Sequence, residues 1–181
     1  MRAEYRLRVS RALGHNVRCG ATPMFYGAPS PIFVAREGGE IAIGDDCRIR
    51  GGPVRSRFSA GPGGRIVLGN RVGINYGAEF YADTSIVVGD NTIMGGLVTV
   101  YDTSFHSVEE GEEVKSAPVT LGENVWIGRG VTIFAGVTID DHAVVATGSI
   151  VTSDIPARVL AAGAPARPIR ELRASDGWSR V

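Results

Sequence analysis

Residues 119–155 read VTLGENVWIGRGVTIFAGVTIDDHAVVATGSIVTSDI, and stepping through them by six from Leu121 reaches Ile127, Ile133, Ile139, Val145 and Val151. Every stop is aliphatic. Ile, Leu and Val together make up 42 of the 181 residues, so six matches in six trials arise by chance at roughly one in a thousand once the register is left free. Four residues after each stop lie Val125, Val131, Val137, Ala143, Ser149 and Ile155, and small or turn-prone Gly122, Gly128, Asp140 and Ala146 follow the stops themselves. In an α-helix a six-residue step rotates by roughly 240°, which would smear these aliphatics over three sides of a segment rich in glycine and β-branched residues. A hairpin sandwich needs longer two-residue alternation and Asn-Gly-type turns, and the segment has neither. The pattern predicts a coil of short parallel strands on three flat faces, about six residues per face, each strand stacking on its equivalent one turn later at about 4.8 Å.

The same mark recurs upstream. Leu121-Gly122-Glu123-Asn124 is echoed by Ile139-Asp140-Asp141-His142, and earlier by Val88-Gly89-Asp90-Asn91, Leu68-Gly69-Asn70-Arg71 and Ile43-Gly44-Asp45-Asp46. These mark about five coils. Their spacings of 25, 20, 33 and 18 residues each accommodate an eighteen-residue turn plus an insertion thrown out at a corner, so the coil is expected to start near residue 30. The largest insertion falls between Val88 and Leu121 and contains Ser107 to Pro118, with Glu109, Glu110, Glu112 and Glu113 and no aliphatic period. Such excursions from a rigid scaffold often carry function.

Composition narrows the class. The chain has 44% apolar residues, 25 glycines and nine prolines, a globular balance with glycine well above the roughly 7% average. Nineteen basic residues meet nineteen acidic ones, so no net field favours nucleic acid or a polybasic membrane contact. No apolar run is long enough to span a membrane, and the arginine-rich start lacks a secretory core, which makes the cytoplasm the expected location. Cys19 and Cys47 form no CxxC, and His15, His106 and His142 have no zinc-finger spacing.

From about residue 30 to 170 the sequence resembles the hexapeptide-repeat, left-handed parallel β-helix acyltransferases, and within them the sugar O-acetyltransferase group of galactoside, maltose and polysaccharide enzymes. The resemblance is carried by Asn124-Val125-Trp126-Ile127-Gly128, Gly136-Val137-Thr138-Ile139, Gly148-Ser149-Ile150-Val151-Thr152-Ser153-Asp154-Ile155-Pro156 and Ala162-Gly163-Ala164-Pro165-Ala166-Arg167, in that order and spacing. It implies an all-β fold and supplies the left hand, which general rules of chain crossover would not. It also implies a homotrimer with sites in the clefts between prisms. Residues 1–29 are expected as an N-terminal cap or trimer-contact segment, 30–170 as the catalytic β-helix, and 171–181 as a tail.

The activity implied is transfer of an acetyl group from acetyl-CoA, as cosubstrate and without a metal, to a hydroxyl of a sugar or polysaccharide precursor. A hydroxyl is a poor nucleophile and needs a base as the C–O bond forms, work for which imidazole is suited near pH 7. In Asp102-Thr103-Ser104-Phe105-His106-Ser107 the resemblance assigns His106 as that base. Asp102 is a candidate to orient the ring, as are Glu109, Glu110 and a backbone carbonyl. Asn75 and Asp83 match acceptor positions, available to donate to and accept from sugar hydroxyls.

For the cofactor, the turns at Arg129 and at Ala146-Thr147 match cofactor positions of the family that the sequence resembles. Thr152, Ser153, Arg167 and Arg170 match the adenosine end, where phosphates call for cations. Trp126, one residue before an inward-facing aliphatic, should point outward at the thioester end. His15 and His142 read as structural or solvated. The alternatives are N-acetylation of a nucleotide-linked amino sugar, acetylation of a xenobiotic, a non-catalytic scaffold, and a zinc carbonic anhydrase, for which three converging ligands would be required.

Overall fold

The computed structural model describes residues 16–180, and His15 lies outside them. All regular structure among these residues is strand, arranged as a three-sided prism. Face A stacks Val17–Cys19, Glu40–Ile43, Arg65–Leu68, Ser85–Val88, Val119–Leu121 and Thr138–Ile139 as a six-stranded sheet. Face C stacks Ile32–Ala35, Arg57–Ala60, Glu79–Ala82, Thr99–Tyr101, Thr132–Ile133 and Ile150–Val151, again six strands. Face B runs from Met24–Tyr26 through Arg48–Arg50, Gly73–Ile74, Ile93–Met94, Trp126–Ile127 and Val144–Val145 to Val159–Gly163. An antiparallel strand, Ala166–Glu171, closes that sheet as its eighth member. The chain visits A, B and C in turn, and every other strand pairing is parallel. This is the β-helix architecture the six-residue period demands.

The period translates directly into the interior. Ile43, Leu68, Val88, Leu121 and Ile139, the residues of the five marks, pair in one register column of face A, and all are buried. Face C contributes Phe58, Phe80, Val100, Ile133 and Val151, with Phe33, Phe58 and Phe80 following one another at ring-centroid distances of 5.1 and 5.0 Å. Each strand alternates inward and outward residues, so a two-residue pleat inside a six-residue edge generates the sequence pattern.

The coil begins before the expected boundary at residue 30. Val17–Cys19 pairs in parallel with Ile41, Ala42 and Ile43, and Met24–Tyr26 pairs with Arg48, Ile49 and Arg50. Residues 17–26 of the expected cap therefore build the first rung, while residues 1–15 lie outside the described residues. Cys19 occupies the place that Ile43 fills one turn later, where its thiol packs as a small apolar group. Both cysteines are free; burial, with Cys47 beside it, pushes the Cys19 thiol up to about 11.

Corners are held by side chains that reach one rung back. Asp90 Oδ1 accepts from the Asn70 amide at 2.7 Å, Asp141 Oδ1 from the Glu123 amide at 2.7 Å, and Asp154 Oδ1 from the Thr138 amide at 2.7 Å. The tail continues this fastening at the A-to-B corner. Asn124 donates to the Trp178 carbonyl at 2.8 Å and stands 2.8 Å from His142 Nδ1, which places His142 in a structural role. Among the described residues no helix is long and apolar enough to cross a membrane.

Candidate active site

His106 sits on the C-to-A corner, in the insertion that follows Thr99–Tyr101. Two features fix the corner beneath it. Thr103 and Ser116 form an antiparallel bridge that pinches the insertion at its base, and the Ser104 amide donates to the Lys115 carbonyl at 2.9 Å. Phe105 adopts a φ of 60°, an uncommon conformation for an aromatic residue that needs support from its surroundings. That support is visible: its ring lies 4.8 Å from Tyr81 and 5.2 Å from Tyr101. The next residue is His106, whose exposed imidazole makes no hydrogen bond to the described residues. Burial, together with the Glu79 carboxylate, raises the neighbouring Tyr101 phenol above its usual value.

Asp102 is fully buried but does not hold the imidazole. Its Oδ1 accepts from the Asp83 amide, and its Oδ2 from both the Thr84 amide and the Thr84 hydroxyl, each at 2.7 Å. The expectation that it orients His106 is therefore corrected: this carboxylate fastens the corner one rung below. Asp83 is exposed on that corner, where Ser116 Oγ donates to its Oδ2 at 3.1 Å. Thr152 and Ser153 lie higher on the same corner, and Arg167 Nη1 reaches Ser153 Oγ at 3.5 Å.

The remaining expected site residues stand elsewhere. Asn75, Arg129, Ala146 and Thr147 form a column on the B-to-C corner, Trp126 projects from the adjoining edge of face B with 48% exposure, and exposed Arg170 lies on the closing strand. Adjacent corners are separated by the width of a face, roughly 15–20 Å for five or six extended residues. The expected residues thus divide between two corners of the prism. Asn75 Oδ1 accepts from the Tyr76 amide at 2.9 Å, which leaves its Nδ2 as the outward group.

On the B-to-C column the turns are closely stacked. A Cβ on Gly128 would meet the Thr147 amide nitrogen at 2.4 Å, so the two turns pack backbone to backbone. The amides of Arg129 and Thr147 donate to nothing among the described residues, and both residues are exposed. Small walls and free backbone donors suit a thin, amide-bearing ligand. Among the described residues no cluster of three or more His, Cys, Asp or Glu side chains gathers as a metal site would require.

Proteins of known description are similar to this chain. The chain is 41% identical over 117 residues to the galactoside O-acetyltransferase of Escherichia coli (strain K12), an alignment spanning 63% of this chain and 58% of that protein. It is also 36% identical over 139 residues to the galactoside O-acetyltransferase of Lactococcus lactis subsp. lactis, spanning 74% and 64%. The chain is thus similar to galactoside O-acetyltransferases over about six tenths of their length. Among solved structures, the hexapeptide-repeat acetyltransferase of Vibrio cholerae complexed with acetyl-coenzyme A superposes with a TM-score of 0.55 at 27% identity, covering 95% of this chain and 78% of that one. No family model matches. The chain spans about six tenths of the length of these two galactoside enzymes.

Two features of the structure escaped the sequence reading. One is the service of Asp102 to the Asp83–Thr84 corner, whose donors lie 19 and 18 residues earlier. The other is a hollow on face B lined by Arg48 and Arg50, for which alternate arginines on one strand were the available signal.

Proposed function

We propose that this protein transfers an acetyl group from acetyl-CoA to a hydroxyl of a sugar, in sites shared between neighbouring copies of a homotrimer. The carrying observation is the division of the candidate residues between two corners. His106 and Asp83 stand on one corner, and Asn75, Trp126, Arg129 and Thr147 stand on or beside another. A thioester cannot meet both sets on a single prism, whereas a head-to-tail contact brings one patch of a copy against a different patch of the next and closes into a ring.

The B-to-C column of one copy would hold the cosubstrate. Its Arg129 and Thr147 amides would donate to the pantetheine carbonyls, and Trp126 would screen the reacting end from water. Arg167 and Arg170 are exposed cations at the top of the coil, suited to the phosphates. When bound, acetyl-CoA supplies an activated acyl carbon and a thiolate leaving group. His106 of the adjoining copy takes the proton from the sugar hydroxyl as its oxygen bonds to that carbon, and returns it to sulfur as the C–S bond breaks. The products are a sugar ester and free CoA. Asn75 and Asp83 orient the acceptor by donating to and accepting from its other hydroxyls.

The direct test is release of free thiol from acetyl-CoA across a panel of sugars, glycosides and amino sugars. The account predicts acceptor-dependent release with at least one hydroxyl acceptor. Release confined to amine acceptors would replace O-transfer by N-transfer, and no release with any acceptor would remove the transferase reading.

A further inference from the structure

Outward positions on face B form a ladder in strict register: Met24, Arg48, Gly73, Ile93, Trp126, Val144 and Leu160. Gly73 leaves a missing tooth between Arg48 and Ile93. The gap is a hollow of about 300 Å³, bordered by Arg48 and Arg50 below, Arg71 and Asn75 at its sides, and Tyr26 at its lower edge. Arg48 and Arg50 flank inward-facing Ile49, so both emerge on the same side of one strand.

The charges in the hollow are unbalanced. Arg71 is committed, with Nε donating to Asn91 Oδ1 at 2.6 Å and Nη2 lying 3.6 Å from Asp90. Asp46, at the rim, accepts from the Thr22 hydroxyl and keeps its charge, so three lining arginines meet one lining carboxylate. Arg48 and Arg50 have no ion-pair partner among the described residues. Residues two apart along a strand have backbones roughly 6–7 Å from each other and side chains on one face, so the two like charges share that side of the sheet. An isolated surface arginine is ordinarily just solvated; here two unpaired ones share a concavity with Asn75 Nδ2, and the face above them turns apolar.

We propose that this hollow seats an oxyanion carried by the acceptor, a phosphate or a carboxylate, so that the transferase uses a charged sugar. This rests on the reading above only in linking the hollow to the acceptor through Asn75. Planar guanidiniums pair two-pronged with either anion, and the uncompensated repulsion is relieved when one binds. The apolar ladder toward Trp126 leaves the cations confined to this end of the face.

Calorimetric titration of the full chain at low ionic strength tests the seat directly, with pyrophosphate, glucuronate and neutral methyl glucoside as probes. At least one anion should bind saturably and the neutral glycoside should not. The Arg48→Gln/Arg50→Gln variant should lose tenfold or more in anion affinity. Gly73→Val, which keeps both cations but fills the gap, should lose a similar factor and guards against a folding artefact in the double variant. A response to pyrophosphate alone assigns a phosphate-bearing acceptor, and to glucuronate alone an acidic sugar. No anion binding, or binding that survives both substitutions, overturns the proposal. Thiol release by the unaltered protein is read separately: release without an anion response sinks only the oxyanion seat, and an anion response without release sinks only the transferase.

Discussion

Replacing His106 with Ala should lower turnover by about 10² to 10⁴ while CoA affinity stays near that of the unaltered protein. The imidazole stands on an exposed corner and makes no hydrogen bond to the rest of the described chain, so its loss removes a proton acceptor without opening a cavity. The column proposed for CoA lies on a different corner and is untouched by the substitution. Steady-state kinetics combined with calorimetry separates the two effects. Turnover within a few-fold of the original would exclude this base.

Asp102→Ala should act through stability. The substitution strands the Asp83 amide, the Thr84 amide and the Thr84 hydroxyl, all now bonded at 2.7 Å to a carboxylate with no exposure. Leaving a buried donor unsatisfied costs about 1–3 kcal/mol, enough across these donors to lower the melting temperature by several degrees. Denaturant unfolding measures that loss. The Asp102→Asn variant separates this role from one in catalysis. A residue orienting the imidazole would displace the pH profile of kcat/KM with stability untouched, whereas a corner fastener loses stability with the profile in place.

The coil was legible because its physics repeats. Leu121 and its five successors point inward at every corner-to-corner edge, and a one-residue slip would turn them to solvent. The first rung was hidden because a cysteine, Cys19, stands where later turns carry Ile43 or Leu68, and a single substitution breaks a pattern judged by aliphatic residues. His106 could be found from its motif. The duty of Asp102 could not, since its donors sit one rung away in space and the sequence gives no sign of which corner a carboxylate will serve. Asp90, Asp141 and Asp154 make the same backward bond, so the rule emerges only once the rungs are stacked. The hollow at Arg48 and Arg50 was missed for a related reason: it is made by the absence of a side chain at Gly73 on the following rung.

The central claim is that each site takes His106 from one chain and the Asn75, Trp126 and Thr147 corner from another. Co-expression of a His106→Ala chain with an Asn75→Ala/Trp126→Ala chain tests it most directly. Each variant alone should be nearly inactive. In randomly mixed trimers about one site in four joins two unaltered halves, so acetyl transfer should recover to about a quarter of the original rate. Activity no greater than the average of the two separate variants would show that both halves of the site belong to one chain, and would contradict the account.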